Sequence, residues 1–181
     1  ITASSYDSIT SYNDVESLNI YKEFLKQGLS EEEAMQKVNF GSRDNARRPF
    51  AWDGSPNVGF STHKPWLPSA SRAEEINLTT DRQAEKSVFR FYQDLLRLRR
   101  EEAALRRGVT AVISEEEDNF FIFTRTLDHS VFTVVCNFEQ PSVIDGAKDF
   151  GKEILHNYSD RKDGDTVFRP YEIAVFTSHT A

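Results

Sequence analysis

The chain has 181 residues, with 29 acidic against 22 basic side chains, a net charge of −7 and one cysteine, Cys136. That balance argues against nucleic acid or anionic lipid as a partner. One cysteine excludes a disulfide framework, and no run of eighteen apolar residues reads as a membrane span. The opening Ile1-Thr2-Ala3-Ser4-Ser5 has neither a basic nor an apolar leader segment, so a soluble, cytoplasmic chain is expected, and the missing initiator Met hints at a fragment or processed product.

Asn13-Asp14 offers a cap to the run Val15 to Gln27, where Leu18, Tyr21 and Leu25 recur at helical spacing and Gly28 supplies a left-handed stop. The spacing predicts a helix near 14–27. Ser30 with Glu33 forms a capping box, and the triplet Glu31-Glu32-Glu33 suits the positive end of a helix dipole, predicting a second helix near 31–40. From 41 to 80 no apolar period persists. A connection of that length is functional or disordered, and Trp52, Phe60, Trp66 and Leu67 are too apolar for disorder, so an ordered loop facing an active site or another domain is expected.

Val88, Phe91, Tyr92, Leu95 and Leu98 restore the helical period and predict a helix near 84–100. A nucleic-acid reading of its arginines is interrupted by Glu101-Glu102. Beyond Gly108 the period falls to two, predicting strands at 109–114, 119–127, 130–138, 152–157 and 171–177, with a hairpin at Asp128-His129. Alternate Phe residues of the 119–127 run are expected to face a core. Cys136 reads as a buried, unreactive thiol. A helical first half followed by short strands suggests two packed units, 1–107 and 108–181.

The densest chemistry lies in Ser42-Arg43-Asp44-Asn45-Ala46-Arg47-Arg48-Pro49-Phe50-Ala51-Trp52-Asp53, which holds three guanidiniums, two carboxylates and an indole. Arg and Asp give orientation-fixing hydrogen bonds to vicinal hydroxyls, and an aromatic ring covers the apolar face of a pyranose, so this composition suits a sugar. It equally suits a charged surface loop. Asp14 and Glu16, two apart, would face away from each other on a helix and read as cap and solvated face. His63, His129, His156 and His179 are scattered without ligand spacing, so no metal and no cofactor is expected.

The run Ser42 to Asp53, followed by Ser55-Pro56-Asn57-Val58-Gly59-Phe60 and Lys64-Pro65-Trp66-Leu67-Pro68, resembles the C-terminal part of the oligo-1,6-glucosidase and α-glucosidase branch of glycoside hydrolase family 13. Tyr12-Asn13-Asp14-Val15-Glu16-Ser17-Leu18-Asn19, Glu75-Ile76-Asn77-Leu78 and Ser87 to Arg99 fall in the family's order. Asn137-Phe138 and Pro170-Tyr171-Glu172 match its β-domain. The resemblance implies an α+β fragment: the last helices and long eighth βα-loop of a (β/α)8 barrel, followed by an antiparallel Greek-key β-sandwich. It also implies a retaining mechanism with two carboxyl groups about 5 Å apart. In the family those groups come from barrel strands absent from this chain, so the chain alone is expected to be inactive.

By the same resemblance Arg43 is expected to hold the non-reducing-end glucose, Asp44 and Arg47 to bind or orient it or brace the loop, Arg48 to serve as subsite or loop support, and Trp52 to pack beneath the loop or contact sugar. The chain departs from the family at Arg48, where a small or hydroxylated residue is usual, and at Phe50-Ala51, where Met-Gln is common. Losing the Gln amide removes a polar anchor and leaves linkage preference open. Three functions therefore stand: an α-glucosidase for short α-1,6- or α-1,4-linked oligosaccharides, a sucrose isomerase or trehalose-6-phosphate hydrolase of the same family, or a non-catalytic carbohydrate-binding or interaction module. Expected partners are an oligosaccharide in the full-length enzyme, and a missing barrel half or a second copy covering exposed helix faces.

Overall fold

The computed structural model describes residues 6–70, 72–115 and 119–179. The chain divides into two compact units between Phe89 and Arg90. The division therefore lies upstream of residue 107, and the helical residues from Arg90 onward group with the sheet.

In the first unit α1 (Val15–Lys26) starts at Asp14, whose carboxylate accepts the Ser17 amide at 3.2 Å, and Gly28 follows its end with φ of 91°. The helix α2 (Glu31–Gly41) starts at a complete capping box: the Ser30 amide donates to Glu33 at 2.9 Å, and the Glu33 amide donates to the Ser30 hydroxyl at 3.2 Å. Tyr21 on α1 and Ala34 and Val38 on α2 pack together with Tyr6 and Tyr12.

The following loop contains 3-10 turns at Arg43–Ala46 and Pro56–Gly59 and a short helix, α3 (Leu78–Gln83), which no apolar period announces. Asn77 caps α3 by a reciprocal box with Thr80. The predicted helix from residue 84 starts only at Val88, because Ala84 closes α3, and Asp81 accepts the Phe89 amide at 2.8 Å. The loop is ordered, but its aromatics do not order it. Trp52, Phe60 and Trp66 are exposed, while Ala51, Val58, Leu67, Ala70 and Ala73 are buried. Backbone bonds supply the rest: Trp52 donates to the Val58 carbonyl at 2.9 Å, and Leu78 and Thr79 donate to Ala51 and Trp52 at 2.9 and 3.0 Å.

The second unit holds most of α4 (Val88–Glu101), α5 (Ala103–Arg107) and an antiparallel sheet of β1 (Val109–Val112), β2 (Phe120–Leu127), β3 (Ser130–Asn137), β5 (Lys152–His156) and β7 (Ile173–His179). The strand order is β1-β2-β3-β7-β5, and the intervening β4 (Ser142–Val143) and β6 (Val167–Phe168) pair as a separate ribbon. Asp128, at φ of 51°, turns the chain between the paired residues Leu127 and Ser130.

Ile122, Val135 and Ala174 lie opposite one another across three strands, and Ile144, Ala147 and Phe168 close over that face. On the other face Ala104 and Leu105 of α5 pack with Leu98 against Phe132 and Val175. The central strands are thus covered on both sides, with the ribbon as the second β layer. Alternation puts Phe121 and Phe123 on one face with their ring centroids 5.5 Å apart, yet Phe121 is exposed and Ile122 between them is the buried residue. This corrects the expectation that the alternate Phe residues form the core. Cys136 is half-buried rather than buried, and its surroundings push the thiol above its usual pKa. No residue of α4 is buried, and among the described residues no helix is long and apolar enough to cross a membrane.

Glu172 is the most deeply buried charge of this unit. Its Oε1 lies 3.0 Å from Arg161 Nη1, and its Oε2 accepts the Arg169 amide at 2.7 Å and Arg169 Nε at 3.1 Å. Burial pushes this carboxyl up, but Arg169 and Arg161 reverse that and hold it below the usual range. A depressed native value means the stabilisation is complete above the unfolded pKa and is lost as pH falls through the native one. Glu172→Ala leaves the buried Arg161 short of a partner and should cost about 3–5 kcal/mol in urea unfolding at pH 7. The difference from wild type should shrink in acid as the wild-type carboxylate protonates.

Candidate functional site

The arginine turn is fastened to the start of α1 by Asp44. This side chain is fully buried, and its Oδ2 accepts the amides of Asn13 at 2.7 Å and Asp14 at 2.8 Å. Its Oδ1 lies 3.4 Å from Arg47 Nη1. The Ser17 hydroxyl sits between Asp14 Oδ2 and Ser42 Oγ, at 2.8 and 2.7 Å, and adds a second tie. Asp44 is therefore an internal brace. Its expected role as a direct substrate ligand does not suit a carboxylate that has no surface and is spent on two amides and a guanidinium.

Arg43 is exposed and lies between two carboxylates, its Nη2 3.0 Å from Asp14 Oδ1 and 3.0 Å from Glu16 Oε2. Asp14 is the helix cap and Glu16 is exposed, as expected, but the two do not face apart, because Asp14 is not helical. As N-cap it has extended backbone, φ −68° and ψ 116°, which frees its side chain to turn back toward Glu16's side of the helix end. Arg47 Nη1 approaches the same Asp14 oxygen at 3.9 Å. Arg43, Asp44 and Arg47 are thus brought together around Asp14. Burial pushes the Asp14 carboxyl up, but the hydroxyl and amide of Ser17 and the Arg43 guanidinium outweigh it, leaving the group below the usual carboxylate range.

Arg48 and Trp52 lie apart from this cluster. The Arg48 guanidinium stacks over the Tyr6 ring at 3.7 Å from its centroid and donates to Asn45 Oδ1 at 2.9 Å. Tyr6 in turn donates its hydroxyl to the Pro68 carbonyl at 2.7 Å, so Arg48 helps to knit the loop. Trp52 is 50% exposed and meets Phe50 edge-on at 4.8 Å, which corrects the idea that it packs beneath the loop. Ala51 is fully buried against Val58 and Ala73. The amide lost at this position would have pointed into the loop interior.

A cavity of about 270 Å3 opens beside Arg43 between α1 and α2, with Ile20, Phe24, Lys37 and Val38 in its wall. The site offers a preorganised cation with hydrogen-bond donors, and its two nearest carboxylates are both committed to that cation. This can orient a hydroxylated ligand but supplies no acid–base pair. Among the described residues no group of three His, Cys, Asp or Glu side chains could hold a metal ion.

A family model for the alpha-amylase catalytic domain matches residues 10–108, more than half of the chain. The chain belongs to the alpha-amylase family. It is 36% identical over 181 residues to an oligo-1,6-glucosidase of Halalkalibacterium halodurans, covering 94% of this chain and 32% of that protein. Among solved structures it is similar to Bacillus licheniformis trehalose-6-phosphate hydrolase, with a TM-score of 0.80 and 28% identity over 98% of this chain and 34% of that one. It is also similar to a trehalulose synthase from Pseudomonas mesoacidophila MX-45, with a TM-score of 0.74 and 29% identity over 95% and 32% of the two chains. The chain spans about a third of the length of these relatives. Its fold is the matching part of such alpha-amylase-family enzymes, the last helices and eighth βα-loop of the barrel with the antiparallel β-domain.

Two measurements check this geometry. Carboxyl NMR should show Asp14 titrating below a normal Asp and moving upward in Arg43→Ala, since one of the groups opposing burial is then gone. The Asp14 contribution to stability should be complete above the unfolded pKa and fade as pH falls through the native value. Ala51→Gln, although it restores the residue common in the family, should destabilise by about 1–3 kcal/mol in chemical unfolding, because the added amide must enter a filled core.

Proposed function

We propose that this chain supplies one wall of a cytoplasmic α-glucosidase site that releases α-1,6- or α-1,4-linked glucose from the non-reducing end of short oligosaccharides. The observation that carries this reading is the clamped, exposed Arg43. A guanidinium held at 3.0 Å by both Asp14 and Glu16 has little orientational freedom left to lose on binding vicinal hydroxyls. The retaining chemistry of the resemblance needs two carboxyl groups about 5 Å apart on opposite sides of the glycosidic bond. Asp14 and Glu16 do not suit these roles, since both are engaged by Arg43. By the resemblance the reacting carboxyls belong to barrel strands outside this chain, which itself binds and orients. The exposed stripe Val88, Tyr92 and Leu96 on α4 supports a partner that covers it, either those strands or a second copy.

Two other readings have specific support. The likeness to a trehalose-6-phosphate hydrolase favours a phosphorylated disaccharide as substrate, and sucrose isomerisation stays within the same family. The exposed pair Trp52 and Phe50 favours sugar stacking without chemistry.

The chain alone should give no turnover of p-nitrophenyl α-glucoside or isomaltose, and turnover well above background would overturn the placement of the carboxyls. Titration with isomaltose, followed by Trp fluorescence, should give a saturable change that Arg43→Ala weakens. A change that survives Arg43→Ala but is lost in Trp52→Ala would favour the stacking module instead. Product analysis on isomaltose, sucrose and trehalose 6-phosphate, with the remaining barrel present, separates the family activities.

A further inference from the structure

We propose that the β1 edge of the sheet is a self-association surface, at which two copies of this chain pair β1 antiparallel to β1 about a two-fold axis. The two edges of the five-stranded sheet are built differently. β5 carries Lys152 and Glu153, and its pairing with β7 shifts register between Glu153 and Leu155. Charge and irregularity are the devices that keep an edge from recruiting another strand. β1 has neither along its paired length. Val109, Thr110, Ala111 and Val112 are uncharged and all exposed, and they pair with Thr126, Arg125, Thr124 and Phe123 without a break. Among the described residues β2 is the only strand beside β1, so alternate N–H and C=O groups point outward along it.

Apolar surface continues across this edge. Val109, Val112 and Ile113 are exposed, and Val112 shares a face with its pair Phe123, which touches the exposed Phe121. A two-fold axis normal to the sheet keeps each face on its own side, so it joins the Val112, Phe123 and Phe121 patches of the two copies into one.

The occupant is a second copy because the strand is complementary to itself. An uncharged segment meets its own image without like-charge conflict, although the chain as a whole carries −7. Arg107 precedes the strand and Glu115 follows it, so antiparallel pairing sets each basic end against an acidic one, and parallel pairing would not. Opposed residues share a face only if their separation along the strand is even. A register centred on Ala111 meets this condition and sets Thr110 against Val112, and Val109 against Ile113, of the other copy. Such an interface is isologous and closes at two.

The register gives a charge-swap test, since Ala111 is exposed and meets itself at the axis. Sedimentation equilibrium of the wild-type chain should show a concentration-dependent dimer. Ala111→Lys and Ala111→Glu, each alone and with an unchanged circular dichroism spectrum, should dimerise more weakly, on the order of fivefold or more. An equimolar mixture of the two should recover a dimer, and salt should weaken it. A wild-type chain that stays monomeric at every concentration overturns the proposal. So does association that both variants retain unchanged, which would point to the α4 stripe instead, or a mixture that fails to recover.

Discussion

One buried carboxylate ties the arginine turn to the start of α1. Asp44 reaches back thirty residues to take the amides of Asn13 and Asp14, which lie at the start of α1 and have no helical carbonyl to bond. A charge with no exposed surface is tolerable only where donors surround it, and here two amides and Arg47 do so. The consequence reaches the site directly. By fixing the Asp14 backbone, Asp44 sets where the Asp14 side chain lies, and Asp14 in turn fixes Arg43. The residue of this segment that lies deepest is thus the one on which the exposed cation depends.

The same economy runs through the loop beyond. Its interior is made of small residues, Ala51, Ala70 and Ala73, around Val58 and Leu67, which lets backbone segments approach closely enough for the bonds from Trp52, Leu78 and Thr79. Val58 is held at φ of 53°, a strained setting for a β-branched residue, with its side chain buried and its carbonyl accepting the Trp52 amide. Gly59 follows at φ of 69° with the Asp53 carboxylate 2.8 Å from where a Cβ would stand, so no other residue fits without displacing that side chain. Large aromatics could not occupy so tight an interior. They are left on the outside, where Trp52 and Phe50 present their rings.

What was legible in the sequence was what is local. Ser30 and Glu33 sit three apart and their reciprocal bonds form as the spacing says; Gly28 ends α1; and the alternation of β2, β3 and β7 places Ile122, Val135 and Ala174 on one face. Contacts made over distance were not legible. Nothing in Asp14-Val15-Glu16 says that Arg43 will bridge its two carboxylates, and the helical rule applied to them misleads because a capping residue is outside the helix. The start of α4 was misplaced for a related reason: Asn77 and Thr80 build a cap without the Glu or Gln that marks a capping box, so α3 goes unannounced and takes up Leu78–Gln83. Arg48 reads in sequence as either a subsite residue or loop support, and its position over the Tyr6 ring favours the second.

The two units solve the problem of buried charge in the same way with different consequences. In the first, the buried Asp44 lies beside a surface, and the chain of ties through Asp14 ends in an arginine that solvent can reach. In the second, Glu172 is surrounded by Arg161 and Arg169, Arg161 continues to Glu153 at 2.6 Å, and both guanidiniums are stacked on rings, Arg161 over Phe168 and Arg169 over Tyr158. There Arg161 is consumed internally and the partly exposed Arg169 is divided between Glu172 and Asp160, so the network pins the crossing between β5, β6 and β7. Charge density alone therefore does not locate a binding site in this chain. The distinguishing feature is whether a braced cation keeps an exposed edge, and among the braced arginines at the core of these two networks Arg43 meets that condition most fully while Arg161 does not.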